Sequence, residues 1–173
     1  MSEPDGRLPL VLDTSVAVKF YVPEEGHEQA RELLTVVENG GARLLAPSTI
    51  GAELWNALWQ KYRRGELEKV VVRETWERFN DAPVSLFDPD SLMPAAVEVD
   101  YNTDVIVYDA LFLALAEGFE TVVVTTDERS LLKRLRGTAY ERLAVHLSGV
   151  GALLGERIEG RSEASEGSGG EQT

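Results

Sequence analysis

A three-layer α/β sandwich around a central, mostly parallel sheet of about five strands is the architecture this sequence predicts. Three observations carry it. Short apolar runs suited to buried strands recur along the chain, at Leu8–Leu12, Arg43–Pro47, Val84–Phe87, Thr121–Thr126 and Leu143–Leu147. Helical patterns separate them, and parallel strands need such crossovers. The length, 173 residues, suits one domain with a real core.

In chain order, a polar lead over residues 1–7 is expected to be flexible, and the first strand ends at Asp13-Thr14-Ser15. An amphipathic helix from about Glu24 to Glu38 carries Ala30, Leu33, Leu34 and Val37, and Gly40-Gly41 stops it. After the second strand, Ser48 caps a helix running to about Arg64 and closed by Gly65. That helix has two apolar faces. Ile50, Leu54, Ala57 and Leu58 form one, with Glu53 in its angular spread; Trp55, Trp59 and Tyr62 form the other, which is either more core or a partner surface. Leu67 to Asn80 is a further helix, and Ser91 to about Tyr101 another, with Pro94 in its first turn. Thr103 as N-cap and Gly118 as C′ residue bound the next helix, with Asp104 in its first turn favoured by the helix dipole. A short helix near Glu128–Arg136 precedes the last strand. The domain is expected over residues 8–150, and residues 156–173 read as a disordered acidic Gly/Ser tail.

Composition narrows the chemistry. No cysteine is present, which removes disulfides, thiolate catalysis and cysteine zinc sites, and His27 and His146 stand apart in the chain. Any metal would be held by oxygen. No apolar run reaches the roughly 18 residues of a membrane span and no signal core opens the chain, so a cytoplasmic protein without membrane contact is expected. The net charge is −13, of which the tail supplies −3. So acidic a body does not grip nucleic acid by surface charge alone.

Asp109 demands an explanation. It lies among Val105, Ile106, Phe112, Leu113 and Ala116 on a helix that is apolar nearly all round. An ionised carboxylate buried there without a partner costs several kcal/mol, so it needs a cationic side chain, hydrogen-bond donors, a metal or a proton. Asp13 and Asp127 each follow an apolar strand directly, which places both at the carboxyl edge of a parallel sheet, where ligands of such sheets bind. Glu53 is a fourth acid on an apolar face. Each has a bland reading: Asp13 and Asp127 as helix caps, Glu53 as an edge residue reaching water, Asp109 as an arginine partner. Together they suit a hard cation. Two carboxylates about 4 Å apart repel by roughly 4 kcal/mol at an effective dielectric near 20, and Mg²⁺ or Mn²⁺ turns that repulsion into attraction.

Val11-Leu12-Asp13-Thr14-Ser15, Glu53 with Asn56 one turn on, Tyr108-Asp109-Ala110-Leu111-Phe112-Leu113-Ala114-Leu115-Ala116 and Val124-Thr125-Thr126-Asp127-Glu128-Arg129 closely resemble the PIN-domain family, particularly VapC-type toxins of toxin-antitoxin pairs. The resemblance spans about residues 8–148. It implies a Mg²⁺- or Mn²⁺-dependent ribonuclease that hydrolyses RNA phosphodiesters with metal-activated water. Its acidic tetrad would be Asp13, Glu53, Asp109 and Asp127, serving as catalytic and metal-binding residues, with Ser15, Asn56 and Thr125 in support. It also implies a homodimer and a small antitoxin partner, with the Trp55, Trp59, Tyr62 face a candidate contact. The basic candidates for RNA phosphates are Arg63, Arg64, Arg129 and Lys133, with Arg134 and Arg136 beside them. Where similar proteins carry a small hydroxyl residue three positions before the third acid, this chain has Ile106.

A catalytically silent PIN-like scaffold or regulatory RNA-binding module remains the alternative. A phosphoacceptor receiver domain would need two acids together early in the chain and a late lysine, and a haloacid-dehalogenase-type phosphatase would need an aspartate where Ser15 stands. Neither pattern is present.

Overall fold

The computed structural model describes residues 6–155; the expected lead over 1–5 and the acidic tail from 156 lie outside the described residues. Five strands form one sheet in the order β3-β2-β1-β4-β5: β1 (Leu8–Leu12), β2 (Ala42–Pro47), β3 (Val84–Phe87), β4 (Val123–Thr125) and β5 (Ala144–His146). Every pairing among them is parallel. Such a sheet is covered on both faces, which is why Leu10–Leu12, Leu44–Ala46 and Val123–Val124 are apolar on both sides and buried.

The strand order decides where the helices go. The chain steps outward from β1 to β2 to β3, through α1 (Thr14–Lys19), α2 (His27–Glu38), α3 (Ile50–Arg63) and α4 (Lys69–Asn80). It then returns across the sheet to β4 through α5 (Pro89–Thr103) and α6 (Val107–Gly118). Right-handed crossovers in opposite directions put α1–α4 on one face and α5 and α6 on the other. The expected three layers result. The direction of winding reverses between β1 and β4, so the switch point of the sheet lies between the residues that follow those strands, Asp13 and Asp127.

Several boundaries differ from expectation for identifiable reasons. α6 starts at Val107, not after Thr103: Thr103 ends α5, and Asp104 takes the left-handed conformation (φ 57) that closes it, its N–H donating to Asp100 O at 2.9 Å. Asp104 is therefore a helix terminator, not a first-turn partner of α6. At the far end Gly118 is still helical, and Glu120 (φ 51) occupies the left-handed C′ position. Glu120 N–H reaches Glu117 O and Thr121 N–H reaches Ala116 O, the bond pair of a Schellman motif. α5 begins at Pro89, with the Asp88 side chain accepting from Asp90 N–H, so Pro94 sits in the second turn and not the first. The expected helix at 128–136 is a π-type turn, Glu128–Leu132, followed by the short α7 (Lys133–Leu135). The helix α1, directly after Asp13, was not foreseen; Val16, Ala17 and Val18 anchor it in the core.

The second face of α3 turns out to be largely packed. Trp55 and Trp59 stack at 5.9 Å, Trp76 of α4 meets Trp55 edge-on at 5.9 Å, and Trp76 Nε1–H donates to Gly51 O at 3.2 Å. What stays open is a hollow between α3 and α4 lined by Trp55, Asn56 and Trp76.

Candidate active site

The carboxyl ends of β1 and β4 bring Asp13 and Asp127 side by side, and a ring of hydroxyls ties them. Val11 and Leu12 of β1 pair with Val123 and Val124 of β4, so the residues beyond them share one edge. Ser15 Oγ–H donates to Asp13 Oδ2 at 2.5 Å, and Thr125 Oγ1–H donates to the same oxygen at 2.7 Å. Each hydroxyl also accepts a backbone N–H, Ser15 from Thr126 at 3.0 Å and Thr125 from Asp127 at 3.0 Å. Thr125 is fully buried. Both hydroxyl residues thus stand where the resemblance put supporting groups, bracing Asp13.

Glu53 enters from the first turn of α3 and meets Thr14, whose hydroxyl donates to Glu53 Oε2 at 3.1 Å. Glu53 Oε1 is buried without a hydrogen-bond partner. The Thr49 hydroxyl is near enough to favour the charged form, yet no bond of good geometry joins them and Thr49 Oγ1 is likewise buried and unpartnered. A buried acceptor left in this way costs about 1–3 kcal/mol, so the site has a place for something that supplies positive charge or a proton.

Asp109 lies in the first turn of α6, half-buried. Burial, then the charges of Asp13, Asp127 and Glu53, push its carboxyl up to about 7; Arg134 pulls weakly the other way. The Arg134 guanidinium is held near by the Asp104 carbonyl. Asp109 thus feels three other acids more than it feels its one cation, which sets aside the arginine-paired reading. Burial also raises Asp13, against the hydrogen bonds from Ser15 and Thr125 and the N–H groups of Ser15 and Thr14. Asp13 is enclosed by protein while keeping part of its surface open to solvent. Burial likewise raises Glu53, against Thr49 and Thr14 and reinforced by Asp13.

Asp127 behaves differently. Burial raises it, but donors outweigh that and hold its carboxyl below the usual range. Its Oδ1 accepts from Arg129 N–H at 3.1 Å and Ser130 N–H at 2.8 Å, and its Oδ2 from Ser130 Oγ–H at 2.5 Å. It is the N-cap of the π-type turn, as the bland reading had it, and it also belongs to the acidic group.

The four acids of the sequence reading therefore meet electrostatically. Among the described residues no three acidic or histidine side chains stand close enough to enclose an ion as they are placed; Asp13 and Asp127 each accept a hydroxyl hydrogen bond. The donor chemistry nevertheless fits a hard divalent ion: oxygen ligands, mutually repelling carboxylates and an orphaned Glu53 oxygen.

Other expected residues are not gathered in. Asn56, exposed on α3, lines the hollow toward α4 and makes no hydrogen bond to the acids. Arg63 and Arg64 end α3, about 15 Å along the helix axis from Glu53, and Arg64 pairs with Glu66 at 2.5 Å. Arg129, by contrast, directly follows Asp127 and Glu128 and lines a cleft there. Thr14 is the residue the sequence reading passed over. Its signal was position alone, since a hydroxyl next to Asp13 at a strand end faces whatever α3 brings to that edge.

The PIN domain model matches residues 10–137. The chain belongs to the PIN-domain family. Ribonuclease VapC3 of Pyrobaculum aerophilum is 31% identical over 126 residues, covering 70% of this chain and 92% of that protein. Among solved structures, a crystal structure from Pyrobaculum aerophilum matches with a TM-score of 0.57 at 20% identity, over 88% of this chain and 98% of that one. Mycobacterium tuberculosis VapC20, described as a sarcin-ricin loop cleaving toxin, matches at 0.54 and 14%, over 77% and 98%. VapBC2 of Rickettsia felis, bound to a fragment of its promoter DNA, gives 0.54 and 13%, over 80% and 98%. At these identities the structures bear on the fold, and the PIN fold is what this chain has.

Proposed function

We propose that this PIN-domain protein is a Mg²⁺- or Mn²⁺-dependent ribonuclease, the toxin of a VapBC-type pair. The observation that carries the reading is that Asp109, in a site shared with Asp13, Asp127 and Glu53, has its carboxyl pushed up to about 7, by burial first and then by those three acids. Asp13, Glu53, Asp109 and Asp127 would hold the ion. When bound it supplies Lewis acidity toward a phosphodiester and toward water. The chain's own residues do the rest. Ser15 and Thr125 fix the Asp13 carboxylate, Thr14 turns Glu53 toward it, and Asp109 gives up its proton as a cation replaces it.

An antitoxin partner is supported by the VapBC complex among the structural relatives. Assembly as a homodimer is supported by Met93, Val97 and Tyr101, exposed side chains four residues apart along α5, continued by Ile106 and Tyr108. Among the described residues no helix is long and apolar enough to cross a membrane; the toxin reading carries with it a cytoplasmic location.

The silent-scaffold alternative draws on Asp127, whose oxygens already accept three hydrogen bonds. Cleavage of single-stranded and structured RNAs with Mn²⁺ and with chelator separates the two. Metal-dependent cleavage lost in Asp13→Asn, together with an upward shift of the wild-type melting temperature in Mn²⁺, is expected. Equal cleavage in chelator would overturn the metal-dependent reading.

A further inference from the structure

A cleft of about 510 Å³ opens beside Asp127, between the α1–α2 connection and the ends of β4 and β5. Its size falls in the range of small-molecule sites. It shares Asp127 with the acidic group, and Thr126 on its wall donates its N–H to Ser15 Oγ beside Asp13, so it continues the candidate active site along the sheet edge. We propose that this cleft is a nucleobase subsite that takes the base adjoining the scissile phosphate, with His146 stacking on it and Gln29 reading its edge. This rests on the ribonuclease reading.

Charge selects a base over a phosphate. Glu25, Asp127 and Glu128 line the cleft, against Lys19 and Arg129. Lys19 is committed elsewhere, its Nζ lying 2.5 Å from Glu24 Oε1. A phosphate would meet three carboxylates and one uncommitted guanidinium, whereas a nucleobase has no charge to repel. It offers a π face and a donor-acceptor edge.

His146 is held ready for that face. Ser148 N–H donates to His146 Nδ1 at 3.2 Å and Ser148 Oγ lies 2.8 Å from the same nitrogen, so the neutral ring carries its proton on Nε2. Nε2 stands 4.0 Å from Glu128 Oε1, and 34% of the side chain is exposed. Capping the turn at Leu147–Gly149 accounts for the contact at Nδ1. It does not explain why the ring borders a cavity that leads to the acids. Histidine is one of the rings on which unstacked RNA bases rest. Gln29 on α2, exposed and lining the same cleft, brings a carboxamide that both donates and accepts, as edge recognition requires.

The test uses the full chain with Mn²⁺ and single-stranded RNA oligonucleotides carrying an abasic ribose on one side or the other of the cleaved bond. In wild type the abasic ribose on one side is expected to raise KM about 5- to 100-fold with little change in kcat. In His146→Ala that penalty is already present on intact RNA and the abasic ribose adds nothing, while His146→Phe restores the difference. Gln29→Ala, on an exposed helix position that folding does not depend on, shifts the preferred base on the same side. The subsite falls if neither abasic position raises KM, if His146→Ala keeps the wild-type ratio, or if Gln29→Ala leaves base preference as it was; RNA is still cut in each case, so the ribonuclease reading stands. A wild-type protein that cuts no RNA in Mn²⁺ removes both.

Discussion

Asp109 separates the readings of this site most sharply, because its proton is linked to folding. Its carboxyl is pushed up to about 7 from an ordinary 3.8, so the folded chain holds that proton more tightly than the unfolded chain does. The sign follows: the contribution of Asp109 to metal-free stability is fully present below about pH 4, falls as pH rises toward 7, and is lost above. After allowance for solvent screening the loss is on the order of 2 kcal/mol. Asp109→Asn keeps the shape and discards the charge, so the metal-free variant should melt above wild type at pH 8, with the gap closing as pH drops from 7 to 4. Adding Mn²⁺ should raise the melting temperature of wild type and not that of the variant, and RNA cleavage by the variant should be lost. Denaturation scans at pH 4, 6 and 8 with and without Mn²⁺ check this; a variant that melts below wild type at pH 8 would mean Asp109 is a structural partner after all.

At the scale of elements, the two ends of α6 make the same point about what a sequence discloses. The helix and its buried face were legible because the seven residues between Asp109 and Glu117 are all apolar, with no glycine or proline among them. Its boundaries were not, because left-handed closure falls here on Asp104 and Glu120, side chains that carry no glycine-like signal. A non-glycine residue at φ 51 is strained by about 1 kcal/mol relative to glycine. Glu120→Gly is therefore expected to stabilise the protein by about 1 kcal/mol, raising the melting temperature by roughly 2–4 °C, and a calorimetric scan measures it. An unchanged or lower melting temperature would show that Glu120 makes a compensating contact. The same reasoning covers the site. Asp13 and Asp127 were legible as strand-end acids and Asp109 as a charge on an apolar face, whereas Thr14 and the hydroxyl ring depend on the β1–β4 register, which no local pattern encodes.

For the whole molecule the governing fact is charge. A chain of net charge −13 repels RNA at long range, so binding must come from few phosphate contacts close to the acids. Arg129 beside Asp127 and Lys133 one turn later occupy that position; Arg63 and Arg64 do not, since they close α3 at its far end. Each single-strand phosphate contact contributes about −0.7 to the slope of log affinity against log salt. The double variant Arg129→Ala, Lys133→Ala should therefore weaken RNA binding and flatten that slope by about 1.4, whereas Arg63→Ala, Arg64→Ala should leave the slope as it is. Fluorescence anisotropy of a labelled single-stranded RNA, titrated from 50 to 300 mM KCl on a background of Asp109→Asn to prevent cleavage, reads both. Should the α3 pair flatten the slope and the Asp127-side pair not, the RNA must lie across the other end of the sheet, and the strand-switch edge between β1 and β4 would no longer be where phosphodiesters are held.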